Sequence, residues 1–336
     1  MKHLVYIGNK LSKKGKTATT IDTLGKGLEA AGFEVTYASS YSNIILRFLD
    51  MLWTVFQKRK TTDYVLIDTY STLNFFYAYA VSKLCQWLNL KYIPILHGGN
   101  LPKRLKNNPK LSASIFNKSY INISPSDFIK SEFETFGYFN VSVIPNSISI
   151  NNYSFTERSM DKVDLLWVRS FSNLYNPKLA VTILFQLKKI YPKATLCMVG
   201  PDNDGSLKTT KAYADQLGID VTFTGKLTKK EWVALSTNYS VFINTTNFDN
   251  TPVSVIEAMA LGLPIVSTNV GGLPYLIEHN SEGILVNPNH PEAFVDAIKQ
   301  YKNNTVFRTS VIKQARLKAE SFDWKHIKQQ WLTTLK

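Results

Sequence analysis

The sequence predicts an α/β protein made of two domains. Short apolar segments alternate with amphipathic ones from the start of the chain, with strands over residues 4–7 and 33–37 and a helix over 20–31 between them. This alternation is typical of parallel sheets covered by helices. The 336 residues exceed the usual size of one domain, so we expect two domains of about 150 residues each.

The composition is that of an ordinary globular protein, with 44% hydrophobic and 19% charged residues. Cys85 and Cys197 both lie in apolar segments, which favours a reduced, cytoplasmic protein over one stabilised by disulfides. The first strand begins at residue 4, which leaves no room for a signal peptide. No apolar run reaches the length that a membrane span needs.

The net charge of +14 is concentrated in the first half of the chain. Residues 1–150 contain 18 Lys and Arg residues against 9 Asp and Glu residues, whereas residues 151–336 contain 21 against 16. Such an excess suits an anionic partner. No nucleic-acid recognition motif is present, so we expect no nucleic acid and consider an anionic membrane surface instead.

Residues 240–272 predict a strand, a helix and a second strand. The helix is predicted over 252–261, with Thr251 as its cap, Pro252 in the first helical position and Gly262 as a left-handed stop. The loop before this helix follows a strand, where open α/β sheets bind ligands, and the helix start offers free N–H groups to an anion. Phosphate is the anion that we expect there.

Glu257 is the anomaly of this helix, because its neighbours are apolar on nearly every side. A buried carboxylate is costly unless another group hydrogen-bonds to it, so a binding role follows. The alternative is a surface salt bridge on a helix face that the pattern misjudges.

These residues resemble the family 4 retaining glycosyltransferases. The C-terminal domain of that family carries an acid, seven residues, then Glu-Ala-Met-Ala and a Gly-Gly turn. Here the pattern reads Asp249, seven residues, the run Glu257-Ala258-Met259-Ala260, and then Gly271-Gly272.

The resemblance implies the GT-B fold, in which two Rossmann-like domains face each other across a cleft. We expect an acceptor-binding domain over residues 1–153, to which a terminal helix over 322–336 returns, and a nucleotide-sugar-binding domain over 154–321. The polar, aperiodic residues 151–163 predict the linker between them.

The resemblance also implies roles for individual residues. Glu257 holds the ribose hydroxyls, Asp249 the hydroxyls of the donor sugar, and Arg169 the diphosphate, while His97 faces the reacting centre. An alternative for His97 is a local backbone cap. Tyr175 stands where the family has a lysine, and Lys178 is a candidate substitute. The remaining residues expected to bind the donor are Gly15, Lys16, Gly200, Lys226, Asn250, Thr251, Pro252 and Val253.

The implied reaction moves a sugar with retention of configuration from a UDP- or GDP-linked donor to a glycan or lipid-linked acceptor. Biosynthesis of cell-surface polysaccharide or glycolipid is the expected setting, in the cytoplasm or on the inner face of the membrane. We expect no cofactor and no metal ion, because cationic side chains and helix N–H groups can stabilise the departing diphosphate.

Three other functions are consistent with parts of the sequence. Gly15-Lys16-Thr17 with a strand ending in Asp68 suggests a phosphate-loop hydrolase, but six residues separate Gly8 from Gly15 where that loop needs four. A non-catalytic sugar-nucleotide-binding relative is suggested by Asp249 in place of Glu and by Tyr175 in place of Lys. A nucleotide-sugar epimerase of the same architecture is the third.

Residues 43–60 predict an amphipathic helix with a basic end, Lys58-Arg59-Lys60. Trp53 and this cluster suit a helix that lies in the interface of an anionic membrane. The alternative is a helix whose apolar face packs on the sheet of its own domain.

Overall fold

The computed structural model describes residues 1–11, 19–97 and 99–336. They form two compact units, which we call unit 1, Met1–Ser147 with Trp324–Lys336, and unit 2, Ile148–Asp323. Each unit contains one parallel six-stranded sheet, and the two are described separately below. None of the helices in the described ranges combines the length and the hydropathy that a membrane crossing requires.

The sheet of unit 1 has the strand order β2-β1-β3-β4-β5-β6. Its strands are β1 His3–Ile7, β2 Glu34–Ala38, β3 Tyr64–Thr69, β4 Tyr92–Leu96, β5 Asn122–Ser124 and β6 Val141–Val143. Its helices are α1 Thr20–Ala30, α2 Ile44–Lys58, α3 Asn74–Trp87, α4 Leu101–Asn107, α5 Pro109–Phe116, α6 Asp127–Thr135 and the terminal α14 Trp324–Thr334. Strand order reverses between β1 and β3, the place where such sheets bind ligands.

The sheet of unit 2 has the order β12-β11-β10-β7-β8-β9, so the reversal lies between β7 and β10. Its strands are β7 Asp164–Val168, β8 Thr195–Val199, β9 Thr222–Gly225, β10 Val241–Asn244, β11 Ile265–Thr268 and β12 Ile284–Val286. Its helices are α7 Pro177–Lys188, α8 Ser206–Gln216, α9 Lys229–Leu235, α10 Val253–Ala260, α11 Leu273–Leu276, α12 Pro291–Asn303 and α13 Thr305–Ser321.

The segment predicted as a linker, 151–163, is part of unit 2. Tyr153, Met160 and Val163 are buried there, and Arg158 donates to the backbone oxygen of Leu261 at 3.1 Å. A positive charge at that place complements the carboxyl end of α10. The prediction that 151–163 is a linker is therefore wrong. The sequence did not reveal this, because the apolar and capping residues in the segment are spaced too irregularly to form a recognisable pattern.

The boundary between the units falls at 147/148, six residues before the predicted one. Ile148 N–H donates to the Phe322 oxygen, and Ile150 N–H donates to Asp323 Oδ2, each at 2.9 Å. These bonds hold residues 148–150 and 322–323 within unit 2. Helix α14 starts immediately after them and belongs to unit 1.

Helix α14 packs into unit 1 through one apolar face. Ile327 and Trp331 are buried in the core that also contains Leu4 and Tyr6 of β1. A Cβ at Gly27 of α1 would lie 2.6 Å from the Trp324 ring, so glycine is what permits this close packing.

Helix α10 begins one residue later and ends one residue earlier than predicted. Pro252 occupies the cap position, and Thr251 makes no capping hydrogen bond. The assignment of Thr251 as the cap is therefore wrong. Gly262 ends the helix with a φ of 76°, as predicted, and Leu263 N–H returns to the Ala258 oxygen at 3.1 Å.

Candidate functional site

Arg169 and Asp249 form an ion pair at the strand-order reversal of unit 2. Arg169 follows β7 directly, and Asp249 lies in the loop after the neighbouring strand β10. The Arg169 Nη2 group donates to Asp249 Oδ2, and Asp249 Oδ1 accepts from the Asn250 N–H at 2.9 Å. Two of the predicted donor-binding side chains thus lie in direct contact.

Threonine hydroxyls fix the loop that carries Asp249. The Thr245 hydroxyl accepts from Trp167 Nε1 at 3.0 Å and lies 2.9 Å from the Tyr175 oxygen. The Thr268 hydroxyl on β11 donates to the Thr246 oxygen at 2.7 Å. These bonds satisfy buried polar groups and leave the loop little freedom to move.

The Gly271-Gly272 turn packs closely against the backbone of the same loop. A Cβ at Gly271 would overlap the Asp249 oxygen, and a Cβ at Gly272 would overlap the Asn250 oxygen. Gly272 N–H donates to the Asp249 oxygen at 3.0 Å. The glycines of the sequence motif are therefore required by this close backbone approach.

The Arg169 guanidinium is held between Asp249 and the ring of Tyr175. Its central carbon lies 4.1 Å from the centroid of that ring, a cation–π contact. Gly200, after β8, packs so closely that a Cβ would overlap the Arg169 backbone oxygen. Arg169 Nε is buried without a hydrogen-bond partner among the described residues, so the guanidinium keeps a donor for a ligand.

Glu257 is 2% exposed, and two other side chains bind its carboxylate. Its Oε1 atom accepts from the Tyr153 hydroxyl at 2.8 Å and pairs with the Lys229 ammonium at the start of α9. Burial raises the pKa of Tyr153 to about 12, so this hydroxyl remains a donor at neutral pH. Glu257 is therefore buried as the sequence indicates, and not on a surface face.

Hydroxyl groups without partners border the start of α10. The Thr251 and Ser254 hydroxyl oxygens are buried and have no hydrogen-bond partner among the described residues. Asn250 is also buried, and Pro252 and Val253 form the junction between loop and helix. A helix start of this kind offers N–H groups and hydroxyls to a phosphate.

Two further predicted donor residues, Lys226 and Lys178, are within the described part of the chain. Lys226 is exposed at the end of β9, and the Lys178 ammonium lies 5.8 Å from the Tyr213 ring centroid on α8. The structure thus places Lys178 beside Tyr213. Gly15 and Lys16 lie outside the described residues.

In unit 1, His97 is hydrogen-bonded to Asp68. His97 follows β4, Asp68 is on the neighbouring β3, and the ring Nε2 lies 2.7 Å from Asp68 Oδ1. Both side chains are buried. Because a carboxylate oxygen accepts, Nε2 carries the proton, which leaves Nδ1 as an acceptor. The Thr20 hydroxyl is 3.5 Å from Nδ1, too far for a strong hydrogen bond.

Tyrosines surround the Asp68 carboxylate. Tyr6 donates to Oδ1 at 3.0 Å, and Tyr77 donates to the Asp68 backbone oxygen at 2.6 Å. Burial and then the Asp68 charge raise the pKa values of Tyr6, Tyr70 and Tyr77 well above their usual range. The three hydroxyls therefore stay protonated, and those of Tyr6 and Tyr77 donate to Asp68. The other carboxylate oxygen, Oδ2, has no partner among the described residues, which exclude 12–18 and 98.

Sequence reasoning missed Asp68, Lys229 and Tyr153 as members of the two sites. Asp68 and His97 end neighbouring strands, which is a signal that could have joined them. No local pattern connects Lys229 or Tyr153 to Glu257.

Comparisons with known proteins agree on one family. The model of the family described as glycosyl transferases group 1 matches residues 150–318. The sulfoquinovosyl transferase SQD2 of Arabidopsis thaliana is 30% identical over 139 residues, which cover 40% of this chain and 26% of that protein. A D-inositol 3-phosphate glycosyltransferase of Paenarthrobacter aurescens is 41% identical over 69 residues, 20% of this chain and 17% of that protein. The matched segments thus span about a quarter or less of these relatives.

Solved structures match over the whole chain. Sucrose-phosphate synthase from Thermosynechococcus elongatus has a TM-score of 0.82 at 14% identity and covers 99% of this chain and 98% of its own. HepE of Anabaena in complex with UDP-glucose has a TM-score of 0.78 at 18% identity, with coverage of 100% and 99%. The predicted two-domain GT-B fold is confirmed.

Proposed function

Because the chain belongs to the group 1 glycosyltransferases, we propose that it moves a sugar from a nucleotide-sugar donor to a glycan or lipid-linked acceptor. The observation that carries this proposal is a pair of carboxylates in unit 2, Glu257, which is buried, and Asp249, which is partly buried. Asp249 and Glu257 each meet a cation, Arg169 and Lys229, around the start of α10. Hydroxyl-binding and phosphate-binding groups thus lie side by side, as a nucleotide sugar requires.

We assign the donor groups to side chains as follows. Both observed contacts of Glu257 use Oε1, so Oε2 is the oxygen that we assign to the ribose hydroxyls. Asp249 accepts from hydroxyls of the sugar, and Arg169 binds the diphosphate with the help of the N–H groups of Thr251 and Val253. The complexes of HepE with UDP and UDP-glucose support a UDP-linked donor, and a GDP-linked donor is the alternative.

The reaction replaces one bond to the anomeric carbon with another. The bond to the diphosphate oxygen breaks, the acceptor hydroxyl oxygen bonds to the same carbon, and the hydroxyl proton leaves. Negative charge develops on the diphosphate, where Arg169 and the helix N–H groups stabilise it without a metal ion. We assign the acceptor to unit 1, His97 to the reacting sugar, and retention of configuration to the product, in polysaccharide or glycolipid synthesis.

A panel of UDP- and GDP-linked sugars tests the proposal. Wild-type protein should be stabilised against thermal unfolding by one donor and should release its nucleoside diphosphate. Glu257→Gln should lose most of this stabilisation, because an amide cannot accept on both sides as a carboxylate does. The matched control is Glu157→Gln, which changes an exposed carboxylate of unit 2 that also pairs with a lysine.

Each outcome separates the proposal from its alternatives. Donor binding without nucleotide release, even with added acceptors, would identify a non-catalytic binding protein. Conversion of the bound sugar to its epimer, observed by NMR, would identify an epimerase. NMR of the anomeric proton in the product distinguishes retention from inversion.

A further inference from the structure

Helix α2 leaves a stripe of large apolar side chains in solvent. Ile45, Leu49 and Trp53 follow one another at intervals of four residues and are 69%, 54% and 62% exposed. Ile44 and Leu46 beside them are 69% and 53% exposed. We call these five residues the α2 stripe. Single exposed apolar residues are ordinary, but five on one helix form a contiguous surface that calls for a partner.

The sheet of unit 1 covers only part of the apolar surface of α2. Met51 and Val55 are buried in the core that also contains Val5 and Ile7 of β1, and Phe48 and Leu52 are partly buried beside them. Helix α2 therefore packs on its own domain as the alternative prediction states, but this packing covers only one side of the apolar surface of the helix. Ile45, Leu49 and Trp53 of the α2 stripe lie on the other side of the apolar surface, and Ile44 is exposed at the first position of the helix.

Basic residues accompany the α2 stripe. Lys58, Arg59 and Lys60 follow at the end of the helix. The Arg59 guanidinium lies 4.1 Å from the Phe56 ring centroid, and that ring stacks on Trp53 at 6.1 Å. Aromatic and basic groups thus meet at one end of the stripe, a combination that suits the boundary between lipid headgroups and acyl chains.

The charge of the whole unit points to the same kind of partner. Unit 1 contains 21 Lys and Arg residues against 9 Asp and Glu residues, a net +12, whereas unit 2 contains 18 against 16, a net +2. A second copy of unit 1 on this surface would bring two strongly positive units together. An anionic surface gains from the same charge.

We propose that unit 1 docks on an anionic lipid bilayer, with α2 parallel to the membrane and the α2 stripe inserted at the boundary between headgroups and acyl chains. Lys58, Arg59 and Lys60 then lie among anionic headgroups. The docking requires neither donor nor acceptor, so its test is independent of the proposed glycosyl transfer.

Flotation with vesicles tests the insertion. Wild-type protein should float with vesicles that contain phosphatidylglycerol and remain unbound with phosphatidylcholine alone. Leu49→Ser combined with Trp53→Ser should weaken binding about ten-fold or more, which is roughly 1.4 kcal/mol. The matched control is Leu317→Ser combined with Val306→Ser, which changes side chains of unit 2 that are 59% and 82% exposed. The control should bind as wild type does.

A second pair of variants tests the charge. Lys58→Gln with Lys60→Gln should weaken binding more than Lys193→Gln with Lys208→Gln, which removes two exposed charges from unit 2. Added salt should weaken binding of the wild type through screening. Thermal melts check that each variant is folded, and Trp53→Ala alone replaces the double variant if that one is unstable.

Three results would overturn the proposal. The first is that the wild type does not float at low salt. The second is that the stripe variant and its control bind vesicles equally. The third is that the wild type forms a dimer in sedimentation, the stripe variant does not, and neither of these two proteins binds vesicles. The last result would assign the α2 stripe to self-association.

Discussion

The Asp68 carboxylate accepts a hydrogen bond of 2.7 Å from Nε2 of His97 and fixes which ring nitrogen carries the proton. Tyr6 donates to the same oxygen, so the carboxylate is itself held in place. The geometry makes Asp68 a positioning residue for His97.

Asp68→Asn should lower the turnover of the preferred donor about ten-fold or more, because an amide can present a donor to Nε2 and reverse the ring tautomer. Donor affinity should change little, since Glu257 and Arg169, which we assign to the ribose and the diphosphate, are in unit 2. The measurements are kcat, the donor Kd, and the His97 ring tautomer by nitrogen NMR.

His97→Gln supplies the control for this prediction. If Asp68 acts through His97, Asp68→Asn should cost little further turnover in the His97→Gln background. Full additivity of the two losses would show that Asp68 acts otherwise. Asp127→Asn, an exposed carboxylate in the same unit, should leave turnover unchanged.

Arg169→Lys should weaken diphosphate binding although the charge is kept. An ammonium cannot fork two phosphate oxygens, and it also loses the flat contact with Tyr175. We expect a loss of about 1.5–3 kcal/mol, or roughly ten- to hundred-fold, in affinity for the nucleoside diphosphate. Affinity for the nucleoside alone should stay constant. Equal losses for both ligands would remove Arg169 from the diphosphate.

Lys229→Met should destabilise unit 2 because it leaves the buried Glu257 charge with only the Tyr153 hydroxyl. The Lys229 side chain is largely exposed, so we expect a loss of about 1–2 kcal/mol in the free energy of unfolding. Combining the change with Glu257→Gln should recover most of that loss. Lys230→Met, the adjacent exposed lysine, is the control and should unfold as wild type does.

Activity should survive treatment with a chelator, because Arg169 and backbone N–H groups supply the positive charge for the departing diphosphate. Asp202 and Asp204 form an Asp-x-Asp pair of the kind that can bind a divalent ion. Each accepts hydrogen bonds from nearby groups before α8, and those to Asp204, chiefly from Ser206, lower its pKa. Loss of turnover in EDTA that magnesium restores would contradict the prediction.

The strands and the principal site residues could be predicted because their signals are local. The strands predicted over 4–7 and 33–37 are found with each end within one residue, since apolar and β-branched runs bounded by polar loops are short-range patterns. Asp249 and Glu257 follow from one motif on one loop and one helix. The buried position of Glu257 follows from the apolar residues around it.

The partners of those residues could not be predicted in the same way. Lys229 is 28 residues before Glu257, and Tyr153 is 104 residues before it. Only the folded sheet brings them together, and nothing in their own surroundings marks them. The prediction of Thr251 as the helix cap was wrong for a different reason. Pro252 takes the cap position, and the threonine hydroxyl does not reach the helix.

The glycines at 271 and 272 set a limit on protein engineering. Their missing side chains are the space that the Asp249 and Asn250 backbone occupies, so one added methyl group at either position would displace the loop. A library intended to change donor preference should therefore vary the side chains at 250–254 and keep both glycines. Variants at 271 or 272 would be scored as inactive without revealing anything about sugar selectivity.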